Sequence, residues 1–160
     1  KSILVEGDAE FILMEALYKR TIDKDLYASG IGVIAVDGKC FKRYLEIAKL
    51  LHNKVAVITD NDSDYNSNIK DIYVDYIQNQ FDNSRIFSDI YDARHTFEIC
   101  IYQDNQDICN DEFQTPRRRL DTIDYMLKNK ADVAYRLLKN RMDTLIVPQY
   151  IQKAIKWIDA

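Results

Sequence analysis

Short apolar runs alternate with longer segments of helical spacing over the first sixty positions of the chain. The short runs are Ser2–Val5, Val33–Val36 and Val55–Thr59, and their length and composition predict buried strands. In Ala9–Lys19 and Phe41–Leu51, apolar residues recur every three or four positions among charged ones, as in amphipathic helices. Strands that alternate with helices predict an α/β fold: a mainly parallel central sheet with helices on both faces.

The rest of the chain is predicted to be mostly helical. Asn68–Gln80 has helical spacing, Ser84–Ser88 suits a fourth strand, and Phe97–Tyr102 fits either a strand or a helix. The polar stretch Gln103–Arg119 contains Pro116 and is predicted to be a long loop. We therefore expect a core over residues 1–118 and a C-terminal helical extension over residues 119–160, formed by helices at Leu120–Lys128, Ala131–Asn140 and Pro148–Ile158.

The length, cysteine content and net charge of the chain limit the classes of protein to which it can belong. The chain has 160 residues, a length typical of one domain, and its apolar runs are too short to span a membrane. Three scattered cysteines give no disulfide framework, so we expect a cytoplasmic protein. The net charge of −4 argues against nucleic-acid binding by electrostatics alone, but a metal-dependent nuclease needs a locally acidic site. Because a strand pattern begins by residue 3, without an initiator methionine, we expect a segment of a longer protein.

Each of the three predicted strands is followed by an acidic residue: Glu6, Asp37 and Asp60. Ligands of parallel sheets bind beyond the carboxyl ends of the strands, so these acids are expected at one edge. Asp60 and Asp62 are two positions apart, a spacing that we expect to direct both carboxylates to one cation cluster. The alternative is a solvated, Asp-rich turn. Glu10 is expected beside Glu6, although acids are also common in the first turn of any helix.

These motifs carry a resemblance to a known family. Ile3-Leu4-Val5-Glu6-Gly7, Glu10 and the later Val57-Ile58-Thr59-Asp60-Asn61-Asp62 resemble the Toprim pattern of topoisomerases, primases and several nucleases. The resemblance is closest to the OLD (overcoming lysogenization defect) nucleases, which include the nuclease subunit of the Gabija antiphage system. It extends over nearly the whole chain through further matching elements at Asp37-Gly38-Lys39, Phe97-Glu98, Lys130-Ala131-Asp132-Val133-Ala134, Val147–Ile151 and Ala154–Ile158.

The resemblance implies a Toprim-type fold and a metal-dependent DNA endonuclease that hydrolyses phosphodiesters with two Mg²⁺ or Mn²⁺ ions. It implies that Lys130 is a catalytic lysine near the scissile phosphate. Asp37 departs from the family, in which a small residue is usual at this position, and is left out of the ligand set. The family also implies a preceding ABC-type ATPase domain through which the protein would oligomerise. The candidate metal ligands are Glu6, Glu10, Asp60, Asp62 and Glu98.

Several alternatives remain open on the sequence. Arg117, Arg118 and Arg119 form a basic run that is expected either to contact DNA phosphates or to be a solvated loop. Glu98 is alternatively a half-exposed acid on an amphipathic segment. Lys130 is alternatively a solvated lysine at the start of a helix. Other functions are a Toprim module that only binds DNA or a partner, primase-like nucleotidyl transfer, and a receiver-like phosphoacceptor domain, which the three C-terminal helices fit poorly.

Overall fold

In the computed structural model, four short strands form one parallel sheet in the order β2-β1-β3-β4. The strands are β1 (Ser2–Val5), β2 (Gly32–Ala35), β3 (Val55–Ile58) and β4 (Ser84–Phe87). β1 pairs in parallel with β2 and β3, and β3 pairs in parallel with β4. The prediction of a parallel sheet is confirmed, and all the carboxyl ends of its strands lie at one edge.

The structure describes residues 1–77, 83–116 and 119–160. Within these ranges, no helix is long and apolar enough to cross a membrane. The helices are α1 (Asp8–Ile22), α2 (Phe41–Leu51), α3 (Val74–Ile77), α4 (Phe97–Asp104), α5 (Gln106–Phe113), α6 (Thr122–Lys128), α7 (Lys130–Asn140) and α8 (Gln149–Asp159).

Two of the predicted elements differ from the structure. The helix expected at 68–80 is divided into a π-helical turn at Asn66–Lys70 and the short α3, and residues 78–80 lie outside the described ranges. The prediction of a long loop at Gln103–Arg119 is wrong, because α5 occupies Gln106–Phe113. The ambiguous Phe97–Tyr102 segment is helical, as part of α4.

α5 forms because tertiary contacts outweigh the polar character of its sequence. Cys109 and Phe113 lie one turn apart on one face and are fully buried in the main core. Just before the helix, the buried Asn105 side chain donates hydrogen bonds to the carbonyls of Ile101 and Ile146 and accepts one from the Ile146 amide. This amide side chain therefore joins two distant segments around α5.

The sheet has a hydrophobic core on each face, because successive side chains of a strand point to opposite sides. On one face, Ile3 and Val5 of β1 and Ala56 of β3 belong to the larger core, which includes residues of α1, α7 and α8. On the other face, Leu4 and Val57 pack with residues of α2 and with two tyrosines near α3. The helices thus cover both faces, as predicted, and leave the edges of the sheet for other contacts.

The C-terminal helices belong to the same packed unit as the sheet. α8 contacts β3, β4 and α1, and α7 makes its most extensive contacts with α1. The buried residues Ala134, Leu137, Ile151 and Ile155 from these helices join the larger core. Because α7 lies along α1, its first residue, Lys130, is placed near the start of α1, next to the carboxyl ends of the strands.

Candidate metal centre

Glu6 and Asp60 meet at the carboxyl edge of the sheet because they follow the adjacent strands β1 and β3. The Oε1 atom of Glu6 accepts a hydrogen bond from the Asp60 backbone amide at 2.8 Å and another from the Thr59 hydroxyl. These two donors hold the Glu6 carboxylate against the end of β3. The sheet register thus brings together two acids that are 54 positions apart in the sequence.

Three further charged side chains reach this edge from helices. Glu10 lies in the first turn of α1, Glu98 in the first turn of α4, and Lys130 begins α7. Glu10 and Glu98 are buried, with 6% and 2% of their surfaces exposed. Lys130 Nζ lies 2.9 Å from Glu98 Oε2. The alternative that Glu98 is a half-exposed acid is therefore wrong, and Lys130 contacts a buried carboxylate.

Most of these charged groups line an open cavity of about 290 Å³. Its lining includes the predicted site residues Glu6, Glu10, Asp60 and Lys130, together with Gly7 and Gly38. A Cβ atom built on Gly7 would lie 3.8 Å from Glu10 Oε2, an ordinary contact, so this glycine is not required by space. Asp8 also lines it, so the cavity has four acidic residues and one lysine in its walls, and Lys130 in turn contacts Glu98.

Burial and mutual repulsion strongly change the titration of two of these acids. Burial, as the largest cause, and the charges of Glu98 and Glu6 raise the pKa of Glu10 to about 7. The pKa of Asp60 is raised to about 8, first by burial and then by the charges of Glu6, Glu10 and Glu98. Burial alone would lower the pKa of Lys130, but its acidic neighbours, above all Glu98, raise it. The cluster therefore holds more negative potential than one lysine offsets.

The donor atoms fit a hard divalent cation. All are carboxylate oxygens, which Mg²⁺ and Mn²⁺ prefer. Glu98 Oε2 is buried and, despite its closeness to Lys130, receives no hydrogen bond of normal geometry. As the described side chains stand, no group of three or more His, Cys, Asp or Glu residues is close enough together to bind one ion. Direct ligation of one ion by three of these residues would therefore require their side chains to move closer together, whereas Mg²⁺ is commonly held by one or two carboxylates and several waters.

Asp62 is not part of this cavity. Asn61 and Asp62 do not continue the extended strand, and Asp62 has a φ of 49°, in the left-handed region. Its carboxylate is about half exposed and forms an ion pair with Lys39. The expectation that Asp60 and Asp62 share a direction holds only for extended backbone, and the turn separates them. Glu6, Glu10, Asp60, Glu98 and Lys130 are brought together, whereas Asp62 and the exposed Asp37 are not.

The chain is similar to known proteins in part of its sequence and in its fold. The model of a family described as "Overcoming lysogenization defect protein-like, TOPRIM domain" matches residues 1–62. The first 62 residues thus carry the OLD-like Toprim pattern. This stretch contains Glu6, Glu10, Asp60 and Asp62, so the resemblance to OLD proteins is confirmed there. No match was found among curated proteins.

Solved structures show a likeness of fold over nearly the whole chain. The C-terminal region of the OLD protein from Xanthomonas campestris pv. campestris is 22% identical, with a TM-score of 0.66; the match covers 99% of this chain and 93% of that one. The C-terminal region of the Burkholderia pseudomallei OLD protein is 20% identical, with a TM-score of 0.69; the match covers 99% and 96%. At these identities the comparison shows the fold, and the Toprim-type fold is confirmed.

Three residues that shape the site were not predicted from the sequence. Thr59 orients Glu6 through its hydroxyl, and Lys39 donates to the Asp60 carbonyl at 3.1 Å while pairing with Asp62. The buried Asn61 donates to the carbonyls of Asp89 and Tyr91 and accepts from the Ser63 amide. Thr59 and Asn61 flank Asp60 in the motif itself, so their positions were visible in the sequence but their partners were not.

The basic run of the OLD-like domain is only partly described. Arg117 and Arg118 lie outside the described residues. Arg119 is exposed and does not line the cavity that contains Glu6 and Lys130. Contact of this run with DNA therefore stays a prediction.

Proposed function

We propose that this chain is the catalytic domain of an OLD-type, metal-dependent DNA endonuclease. The observation that carries the proposal is the convergence of Glu6, Glu10, Asp60 and Glu98 with Lys130 at the carboxyl edge of the sheet. Buried carboxylates that repel one another destabilise the fold unless a cation offsets their charge. Clusters of strongly shifted pKa values in a cavity are typical of functional sites.

The proposed cofactors are two Mg²⁺ or Mn²⁺ ions, held by Glu6, Glu10, Asp60, Glu98 and Asp62, directly or through water. Bound there, such ions would lower the pKa of a water and offset the charge of the leaving oxygen in phosphodiester hydrolysis. Asp62 would join the set only by leaving Lys39, its present partner. The all-oxygen donor set supports hard ions over zinc or copper.

Lys130 is proposed to act as a fixed positive charge. Because its pKa is raised above the ordinary value, it stays protonated at neutral pH and is not suited to act as a base. Its side chain lines the cavity and is about half exposed, so a phosphate bound there would be in contact with it. Preorganised charges of this kind typically contribute 10²–10³-fold to the rate, roughly, by stabilising charge that develops in the transition state.

The proposal extends to the architecture of the protein. Residues 1–118 would form the Toprim core and residues 119–160 an extension that completes the site, because Lys130 belongs to the extension. The similar structures are described as C-terminal regions of OLD proteins, which supports a longer protein for this chain as well. We propose a preceding ABC-type ATPase domain that mediates oligomerisation, DNA as substrate, a cytoplasmic location and a role in antiphage defence, as in the Gabija nuclease subunit.

The test is nicking of supercoiled plasmid by the purified chain with and without Mn²⁺. Asp60→Ala is expected to abolish nicking, and Lys130→Ala to reduce its rate by about 10²–10³-fold. Asp75→Ala and Lys19→Ala are matched controls, because both residues are exposed and lie outside the cavity. These controls are expected to cut at the unaltered rate.

Three results would contradict the proposal. Equal nicking by Asp60→Ala and the unaltered chain would exclude this site as the source of activity. An inert chain that also fails to bind Mn²⁺, measured by isothermal titration calorimetry, would favour a Toprim module that only binds DNA or a partner. Incorporation of labelled nucleotides on a single-stranded template, without nicking, would instead favour nucleotidyl transfer.

A further inference from the structure

A second cavity, of about 390 Å³, lies next to the acidic one. Three cationic residues at and just before the start of α2 line it: Lys39, Lys42 and Arg43. Among the described residues, Asp62 is the only acid in its lining. The two neighbouring cavities are therefore opposite in charge, within a chain whose net charge is −4.

Two of the three cations of this second cavity have no charged partner among the described residues. Asp62 is already paired with Lys39. Within the described residues, neither Lys42 nor Arg43 makes an ion pair or a side-chain hydrogen bond, and both are exposed. Other arginines of the chain, such as Arg94 and Arg136, are paired with carboxylates. Two adjacent free cations beside a cavity indicate an anionic ligand.

Lys39 contacts residues of both cavities. Its ammonium group donates to the Asp60 carbonyl at 3.1 Å and lies 3.9 Å from Glu6 Oε1, both in residues that line the acidic cavity. On its other side the same lysine lines the basic cavity. A phosphate bound by Lys39 in the basic cavity would therefore lie close to residues that line the acidic cavity.

We infer that the cavity lined by Lys39, Lys42 and Arg43 binds the phosphate backbone of a nucleic-acid strand next to the phosphate that is cut. The inference rests on the proposed function for the identity of the neighbouring site. Phosphate contacts of this kind position a strand without reading its sequence. They would allow an acidic domain to hold a substrate that its overall charge repels.

The test is the salt dependence of DNA binding, measured by fluorescence anisotropy in EDTA between about 50 and 200 mM salt. The probes are a short labelled duplex and the matching single strand. Each lost phosphate contact lowers the slope of log affinity against log salt by about 0.9 for duplex and about 0.7 for single strand. Lys42→Gln/Arg43→Gln is thus expected to lower it by about 1.8 or about 1.4, and Lys42→Gln alone by half as much.

The control removes two charges elsewhere: Lys19→Gln/Lys156→Gln, on exposed positions in the last turns of α1 and α8. A reduced slope with either probe, absent in the control, supports the inference. An unchanged slope, a slope equal to that of the control, or no binding of either probe by the unaltered chain overturns it. Nicking in Mn²⁺ is scored separately. A chain that does not nick but shows the slope change would lose the nuclease proposal and keep the phosphate site.

Discussion

Glu10→Gln in the metal-free protein is expected to stabilise the fold increasingly as the pH rises. Glu10 is buried beside other carboxylates, and its pKa is raised to about 7 from an ordinary value of 4.5. Glutamine has nearly the same shape and is neutral at every pH. The substitution therefore removes the repulsion without removing the packing.

The sign and size of the effect follow from this shift. An acid whose pKa is raised on folding binds its proton more tightly in the folded state, so it costs no stability below the unfolded pKa, and the cost grows until the pH passes the folded pKa. A shift from 4.5 to about 7 corresponds to about 3 kcal/mol, at about 1.4 kcal/mol per unit. Glu10→Gln should be more stable by less than about 1 kcal/mol at pH 5 and by about 3 kcal/mol at pH 8.

The assay is urea unfolding in EDTA at pH 5, 6, 7 and 8, followed by circular dichroism. Glu15→Gln is the matched control, because Glu15 is an exposed acid on the same helix, and its effect should not change with pH in this way. An unfolding free energy for Glu10→Gln that equals that of the unaltered chain at pH 8, or exceeds it equally at pH 5 and pH 8, would refute the reasoning. Saturating Mn²⁺ should stabilise the unaltered chain more than Glu10→Gln, because ligand that binds only the folded state adds its binding free energy.

Three further substitutions test other parts of the structure. Thr59→Val removes the hydroxyl that orients Glu6 and should weaken Mn²⁺ binding by about 10–100-fold in calorimetry; unchanged affinity would contradict that role. Lys39→Met removes the ammonium group beside Glu6 and Asp62. Because solvent screens this partly exposed charge, Mn²⁺ binding should strengthen by only about 1 kcal/mol, about fivefold. Weaker Mn²⁺ binding would contradict a repulsive effect of Lys39 on the metal. Glu112→Gln should lower the free energy of unfolding, measured in urea, by about 3 kcal/mol, because this largely buried carboxylate pairs with Arg136 and Arg141. Asp111→Asn, which removes only the exposed Asp111–Arg141 pair, should lower it by less than about 1 kcal/mol. Equal costs for the two substitutions would refute the difference.

Much of the sheet was predictable from the sequence because its signal is local. Val55–Ile58 is an apolar run of four residues, buried on both faces, followed at once by polar residues. A parallel strand covered on both faces has this appearance, and its end marks the functional edge. The placement of Glu6 and Asp60 follows from two such strand ends. The alternation of strands and helices places both acids at one edge of the sheet, whereas the strand order that makes β1 and β3 neighbours is known only from the structure.

The remaining features depend on contacts that spacing does not encode. Glu98 is buried because α4 packs beside the acidic edge, and the sequence pattern around it is the same for an exposed acid. Asp62 leaves the cluster because Asn61 is fixed by carbonyls about thirty positions away, those of Asp89 and Tyr91. α5 was missed because its two buried residues, Cys109 and Phe113, are few among polar ones. Tertiary structure decides in each case.

The arrangement of charge explains how an acidic chain can act on an anionic substrate. The carboxylates at the ends of β1 and β3 would repel a phosphate, so cations bound at the site would ease the approach of a nucleic acid. Lys130 supplies one such charge inside the cavity, and Lys39, Lys42 and Arg43 supply others beside it. Lys39 now lies close to the carboxylates of Glu6 and Asp62, in the position of a counter-ion. A divalent ion that displaced this lysine would neutralise the acids and free the ammonium for a phosphate, so metal binding and substrate binding should strengthen each other.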